Sequence, residues 1–519
     1  MPIELNDEFK LALGLMEKTK EHLFITGRAG TGKSTLLDYF RSGATKQLVV
    51  LAPTGVAALN VKGQTIHSFF RFKPDITPEK VKKLHPNKSK IYKNLEAIII
   101  DEISMVRADL LDCVDKFLRL HGPHSGQPFG GCQMIFIGDL YQLPPVVSGA
   151  ERNVFRVHYP SPYFFDAKVL VSLPLRMVEL EKVYRQKDQS FIDLLNTVRN
   201  NSATDLELAA LNSRCLPDFE PPSNEFYITT TSTNDQAAQI NHLYLAKLSG
   251  KARSFPGLVA GEFSAKDLPT EINLSLKSGA QVMFLNNDSR GRWVNGSIGR
   301  VVKIERDTET GQPAIISQLA QGDKVKVLPY TWEIFHFRFN ERQKILESEV
   351  VGSFTQYPLR LAWAVTIHKS QGKTFDKLIV DVGRGTFAHG QMYVALSRCT
   401  SLAGLVLKKP IHKNHIFMDW RVVRFLTGYQ YQRSESTLPV AEKIKLIQRA
   451  IANRSKLEII YLKSSDVKSK RVIQPASIGQ MDYLGKPFLG LTGFCFSRQA
   501  DRVFRVDKIL EIKETVDKA

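Results

Sequence analysis

Two short stretches and two single arginines carry the residue types that phosphate chemistry needs. Gly27-Arg28-Ala29-Gly30-Thr31-Gly32-Lys33-Ser34 has the spacing G-x-x-x-x-G-K-S, in which glycines let backbone N–H groups close around phosphate oxygens while the next helix adds positive potential. Gly27, Ala29, Gly30, Thr31, Gly32 and Thr35 would form that cradle, with Lys33 holding the β- and γ-phosphates and Ser34 ligating magnesium. Ile98-Ile99-Ile100 runs into Asp101-Glu102, so a buried strand ends on two carboxylates: Asp101 for the metal, Glu102 to orient or deprotonate water. Hydrolysis also needs cations that neutralise charge on the γ-phosphate as a cleft closes. Arg185 and Arg398 are the candidates, although one arginine among many is ordinarily a surface or ion-paired residue. ATP and magnesium are therefore the expected ligands.

These stretches need a scaffold that brings loops to one edge. Up to about Asn241, apolar runs alternate with helix-compatible stretches: Leu23-Phe24-Ile25, Val49-Val50-Leu51, Ala97 to Ile100, and Met134 to Ile137. Each is followed at once by glycine or polar residues, the pattern of a parallel α/β sheet whose ligands lie beyond the strand carboxyl ends. A second set at Phe226-Tyr227-Ile228, Leu361 to Val365 and Leu378-Ile379-Val380 implies a second, similar lobe. Between them, about 249–343, alternating residues with turns at Asn295-Gly296 and Thr310-Gly311 read as a small β-barrel insertion. The expected boundaries are 1–170 for the first lobe and 171–248 with 344–428 for the second. A polar linker over 429–438 then leads to a domain over 439–519, read as one helix and a compact β-barrel.

A chain of 519 residues exceeds what one core organises. Its 43% apolar and 24% charged residues exclude a fibrous or largely disordered protein. Lys and Arg outnumber Asp and Glu by 71 to 52, a net charge of +19, which favours a polyanionic partner such as nucleic acid. Five cysteines without paired or histidine-interleaved spacing indicate neither a zinc site nor a disulfide framework. With no signal-peptide or membrane-spanning pattern, a soluble cytoplasmic protein without a membrane partner is expected.

Over roughly residues 5–426 the chain resembles the Pif family of DNA helicases, relatives of RecD in the 5′-to-3′ group of superfamily 1. The resemblance rests on 27–35, 52–58, 63–69, 100–105, 129–131, 138–146, 184–186, 365–372 and 393–398. It implies two RecA-like lobes, a wedge at about 70–92 in the first and an SH3-like insertion in the second. It implies that Gln142 senses the γ-phosphate, that Arg185 and Arg398 are arginine fingers, and that Gly372 lies near the nucleotide. Thr54, Gly55, His67, Ser68, Thr366 and His368 would line the groove for a single strand. Phosphate contacts of that kind carry no base information, and His67 alone also reads as an interior histidine. The implied activity is ATP-driven, 5′-to-3′ movement on single-stranded DNA and unwinding of forked or tailed duplexes by a monomer. A nucleotide-dependent clamp without unwinding and an RNA-directed motor are the alternatives. Where family members often place a glutamine after a glutamate to read adenine, this chain has Leu5-Asn6-Asp7-Glu8-Phe9.

The tail resembles a WYL domain, with Phe488-Leu489-Gly490 in place of the name-giving tripeptide. That resemblance implies a small barrel that binds single-stranded nucleic acid or regulates the motor. Arg498, Arg502 and Arg505 beside Phe494 and Phe496 would supply charge and stacking.

Overall fold

Ile98, Ile99 and Ile100 are all fully buried, so both faces of their strand are covered, as parallel sheets require. A computed structural model describes residues 5–147, 155, 157–186, 188–265, 268–308, 311–340, 342–343, 345–383, 385, 388–463 and 466–515. The first lobe is a six-stranded parallel sheet of β1 (His22–Gly27), β2 (Leu48–Ala52), β3 (Gln64–Thr65), β4 (Ala97–Ile100), β5 (Gln133–Ile137) and β6 (Leu175–Leu180), in the order β3-β2-β4-β5-β1-β6. Leu23, Ile25, Ile99, Ile135 and Ile137 form its core with Leu36, Leu37 and Phe40 from helix Lys33–Gly43. Strand β6 lies past residue 170, where the lobe was expected to end, because Leu175 to Leu180 pair with β1 all along its length. In the expected wedge, Phe70, Phe72 and Tyr92 pack their rings around Phe117.

The second lobe is a four-stranded parallel sheet in the order Ala364–Thr366, Ile228–Thr231, Leu378–Asp381, Leu405–Leu407. The apolar run Leu361 to Val365 is not one strand. Leu361 pairs antiparallel with Val282 in the insertion, and Ala364 pairs parallel with Thr229 in the lobe. The crossing is held because Asn241 both donates to the Ala364 carbonyl and accepts from its N–H. The insertion therefore continues through Leu361 rather than closing at 343. Its five-stranded antiparallel sheet packs around Phe284, Trp293, Ile315 and Leu359. A long hairpin, Tyr330–Asn340 with Ile345–Gln356, extends from it. There His336 Nε2 lies 3.3 Å from Ser68 Oγ, and Phe337 meets Phe69 edge-on at 6.1 Å.

The remaining unit, from Met418 onward, has its own core. Five antiparallel strands run in the order Ala500–Arg505, Lys486–Cys495, Lys468–Tyr483, Lys456–Leu462, Ile509–Thr515. Residues 429–437, read as linker, are the second half of helix Trp420–Thr437. Their composition is polar, but Tyr431 and Ser434 share a helical face. Tyr431 donates to the Leu462 carbonyl at 3.2 Å, and Ser434 Oγ donates to the Leu510 carbonyl at 2.7 Å. Ser434 Oγ also accepts from Lys443 Nζ at 2.9 Å, and Lys443 is only 1% exposed. A fragment 418–519 should therefore unfold cooperatively in urea at a clearly higher midpoint than a fragment 439–519. Equal midpoints would show that the helix contributes nothing.

Candidate nucleotide cleft and strand groove

The phosphate loop follows β1 without a break. Gly30 and Gly32 take φ of +83° and +86°, values open to glycine at little cost. A Cβ on Gly30 would stand 2.5 Å from Arg185 Cβ, so glycine here also admits the arginine. Gly32 caps helix Lys33–Gly43 without a side chain, leaving first-turn N–H groups for an anion. Lys33 Nζ donates to the carbonyls of Gly27 and Arg28 at 2.6 and 3.0 Å. Burial lowers its pKa, opposed by Asp139, Glu102 and Asp101.

The β4 carboxylates face this loop. Glu102 sits in the left-handed region at φ 50°, a conformation that costs a non-glycine residue about 1–3 kcal/mol and recurs where geometry is functional. Burial first, then the charge of Asp101, pushes its carboxyl up to about 7, and burial raises Asp101. From the loop after β5, Gln142 Nε2 donates to Asp139 Oδ2 at 3.2 Å, and Asp139 pairs with Arg199 of the second lobe at 3.4 Å. The Ser34 hydroxyl and Asp101 carboxylate form the hard oxygen donor set that suits magnesium beside triphosphate oxygens.

The second lobe supplies the opposite wall. Arg398 is 0% exposed, with Nε donating to the Val394 carbonyl at 2.9 Å and an η nitrogen to Ser397 Oγ at 2.9 Å. Arg185 donates to the carbonyls of Ser397 and Gly372, both at 3.3 Å. Ala29 N–H donates to Tyr393 Oη at 2.9 Å, tying the phosphate loop to helix Gln391–Leu396. At its N-cap, Gly390 (φ +70°) approaches so closely that a Cβ would stand 2.2 Å from the Tyr141 carbonyl. A cavity of about 600 Å³ results, within the usual range for ligand clefts of roughly 300–1,000 Å³. Every expected ATP-site residue lines it except Gly27, whose carbonyl holds Lys33.

Phe9 and Tyr184 also line the cleft, their rings converging on Gly32. Sequence reasoning assigned them no role, nor Gln186, whose amide donates to the Ser397 and Cys399 carbonyls, nor Gln371 and Tyr393. Tyr184, Gln186, Gln371 and Tyr393 lay inside the motif stretches, which was the available signal. Phe9 had only the chain's departure at Leu5 to Phe9.

The expected strand residues lie on loops or short helices after parallel strands: Thr54 and Gly55 after β2, His67 and Ser68 after β3, His368 after Ala364–Thr366. Thr54 Oγ1 caps its helix by accepting Ala57 N–H at 3.2 Å, and Thr366 Oγ1 accepts Lys369 N–H at 3.3 Å. Both hydroxyls thus organise local backbone. Ser68 Oγ accepts from Gln64 at 2.8 Å. His67 is half-buried and lines a second cavity, of about 720 Å³, with Arg107 and Tyr159. Burial lowers the pKa of His67 and of His368, favouring the neutral ring.

The tail arginines do not form one surface. Register pairs Phe494 with Asp501 and Gly490 with Arg505, whereas Arg502 pairs with Gly493. Side chains alternate along a strand, so Arg505 shares the face of Phe494 and Arg502 takes the other. Arg505 stacks over Phe488 at 5.3 Å and pairs with Asp507, and Lys456 stacks over Phe496 at 5.2 Å. Arg498 lies in the turn after Cys495.

Comparison with known proteins follows the same lines. The family profile described as PIF1-like helicase matches residues 5–207, and the WYL domain profile matches residues 442–514. The ATP-dependent DNA helicase Pif1 of Bdellovibrio bacteriovorus is 34% identical over 82% of this chain and 93% of that protein. Its namesake from Psychrobacter sp. is 33% identical over 75% of this chain and 66% of that protein. Pif1 from Bacteroides sp in complex with ADP-AlF4 is 36% identical and superposes with a TM-score of 0.77 over 83% of this chain and 98% of that one. The same protein bound to single-stranded DNA gives 0.60, again at 36% identity over 83% and 98%. Sequence, fold and cleft agree that the chain belongs to the PIF1-like helicase family and carries a WYL domain near its C-terminal end.

Proposed function

We propose that this protein is an ATP-dependent DNA helicase that moves 5′ to 3′ along single-stranded DNA as a monomer and opens forked or tailed duplexes. The observation that carries this reading is the two-walled cleft: Lys33 and Glu102 come from one lobe, Arg398 and Gly372 from the other, around one cavity. A triphosphate held there ties its own cleavage to the relative position of the lobes. Glu102 orients the water, Gln142 senses the γ-phosphate, and Arg185 and Arg398 offset charge in the transition state. Ser34 and Asp101 would hold magnesium, which would supply charge neutralisation to the triphosphate. Closure brings the loops of His67 and Ser68 toward those of Thr366 and His368, and alternating grips on phosphate advance the strand. The family relatives and the Bacteroides Pif1 bound to single-stranded DNA support DNA as the track. The WYL barrel is assigned a strand-binding or regulatory part, supported by cations stacked on Phe488 and Phe496.

The test is unwinding of duplexes bearing a 5′ or a 3′ single-stranded tail, with and without residues 418–519, against a matched RNA duplex. The proposal expects unwinding with the 5′ DNA tail only. Strand-stimulated hydrolysis without unwinding would favour a clamp, and equal use of the RNA duplex an RNA-directed motor. Because the chain carries a net charge of +19, log affinity for oligo-dT should fall against log salt with a slope of about −0.7 per phosphate that lysine or arginine neutralises. A flat titration would remove an ionic contribution to strand binding from the account.

A further inference from the structure

Gly32 is met from outside the phosphate loop by two rings. A Cβ there would stand 3.0 Å from Phe9 Cζ and 3.9 Å from Tyr184 Cε2, and both rings line the nucleotide cleft. They come from separate elements, Phe9 from helix Asp7–Lys18 and Tyr184 from the segment after β6. Three hydrogen bonds lock these pieces together. Asn6 Oδ1 caps the helix by accepting Phe9 N–H at 2.9 Å, Glu8 accepts Glu181 N–H at 2.9 Å, and Tyr184 N–H donates to the Gly30 carbonyl at 2.8 Å. Phe9 is 2% exposed and Tyr184 41%, so one ring is a fixed floor and the other an open rim.

Lys33, Glu102 and Arg398 claim the phosphates, which leaves the ring-lined part of the cleft for the base. Telling one base from another needs hydrogen bonds to its edge. A site built on such bonds rejects the wrong partner by about 10⁴–10⁵, whereas an apolar wall separates similar ligands by only about 10². Aromatic stacking accepts every base, because each has a π-face. Among the described residues of the lining, apart from the Tyr184 hydroxyl, the polar side chains belong to the phosphate loop and its helix, the β4 end, Gln142 and the two arginines. Those groups sit at the phosphate end. The polar neighbours of the rings are engaged as well: Asn6 and Glu8 hold backbone N–H groups, and Lys182 Nζ lies over the Tyr184 ring at 5.2 Å.

We propose that Phe9 and Tyr184 form a base slot that grips by aromatic contact without reading the base edge, so that the protein takes purine and pyrimidine nucleoside triphosphates as a class rather than ATP alone. This deepens the motor reading above and rests on it. The competing account has the two rings only bracing Gly32, with the base left in solvent. A ligand without a base separates the two. Loss of a brace weakens every phosphate compound, whereas loss of a base slot leaves inorganic tripolyphosphate untouched.

The experiment measures steady-state hydrolysis of ATP, GTP and UTP by the full-length protein with magnesium and oligo-dT, and its inhibition by magnesium tripolyphosphate, in wild type, Phe9→Leu, Tyr184→Leu and Tyr184→Phe. In wild type, kcat/KM for the three substrates should agree within about tenfold. Each leucine variant should raise KM for all three at least about fivefold, with kcat and the inhibition constant of tripolyphosphate within about twofold. Tyr184, at the exposed rim, carries the test where the buried Phe9→Leu does not fold. Tyr184→Phe, which returns the ring without its hydroxyl, should rescue KM at an unchanged ATP-to-GTP ratio. A wild-type preference for ATP beyond tenfold, an unchanged KM in Tyr184→Leu, or tripolyphosphate binding that weakens in step with KM would overturn the proposal. A wild-type protein that hydrolyses none of the three fails the motor reading instead, which is a separate result.

Discussion

Glu102→Gln should abolish almost all strand-stimulated turnover, lowering kcat by about 10³ while ATP affinity changes only a few-fold. General-base and water-positioning groups contribute about 10²–10⁴, and the amide keeps the shape of the carboxylate but neither its charge nor its basicity. The same substitution should stabilise the metal-free protein at alkaline pH. Burial and the neighbouring Asp101 raise the Glu102 carboxyl to about 7, against about 4.3 for an exposed glutamate. An acid with a raised folded pKa destabilises the fold wherever it is forced to ionise, which is above that pKa. The penalty shrinks as pH falls below about 7 and is gone below the unfolded value. In EDTA at pH 8 the variant should therefore melt several degrees above wild type, with the gap closing toward pH 4. A pH-independent difference would mean that Glu102 is not held in a costly site, and a modest loss of turnover would take the base from it altogether.

Arg398→Lys should cost about 10³ in kcat with little change in KM, since fingers that stabilise phosphoryl transfer contribute roughly 10³–10⁵. Its Nε donates to the Val394 carbonyl and its two η nitrogens to Ser397 Oγ and the Lys373 carbonyl. The guanidinium is thus held at all three nitrogens on the wall of the cleft it lines, with two N–H groups left over for phosphate. Lysine keeps the charge, but its single ammonium cannot hold all three anchors and reach the phosphate. Arg398→Ala should lose at least as much activity and also stability, because buried acceptors are left without their donor. Thermal midpoints measured alongside single-turnover rates separate the effects: full turnover in Arg398→Lys would exclude the finger role.

The contiguous parts of this protein were legible from the chain alone. The Gly27 to Ser34 spacing, the Ile98 to Glu102 strand end and the apolar runs of the first sheet are local patterns, fixed by backbone geometry over a few residues. The β-rich character of the tail behind one helix was legible for the same reason, although Ile509–Thr515 forms a strand of its own beyond the runs. The misreadings were those in which composition stood in for contact. Polar residues 429–437 looked like a linker, yet Tyr431 and Ser434 are helical and hydrogen-bonded to the barrel. Leu361 to Val365 looked like one strand, yet pairing divides it between two sheets. Arg502 and Arg505 looked like neighbours, yet alternation sends them to opposite faces.

What the sequence determined by itself was the chemistry on offer, a phosphate cradle, two carboxylates and two spare arginines, because those signals are written in spacing along one stretch of chain. Which of these groups meet was decided only by the tertiary structure. Gln371 and Glu102 are 269 positions apart, and Tyr393 reaches Ala29 across 364. No local pattern encodes such pairings, since they exist only when two separately formed sheets bring their carboxyl edges face to face.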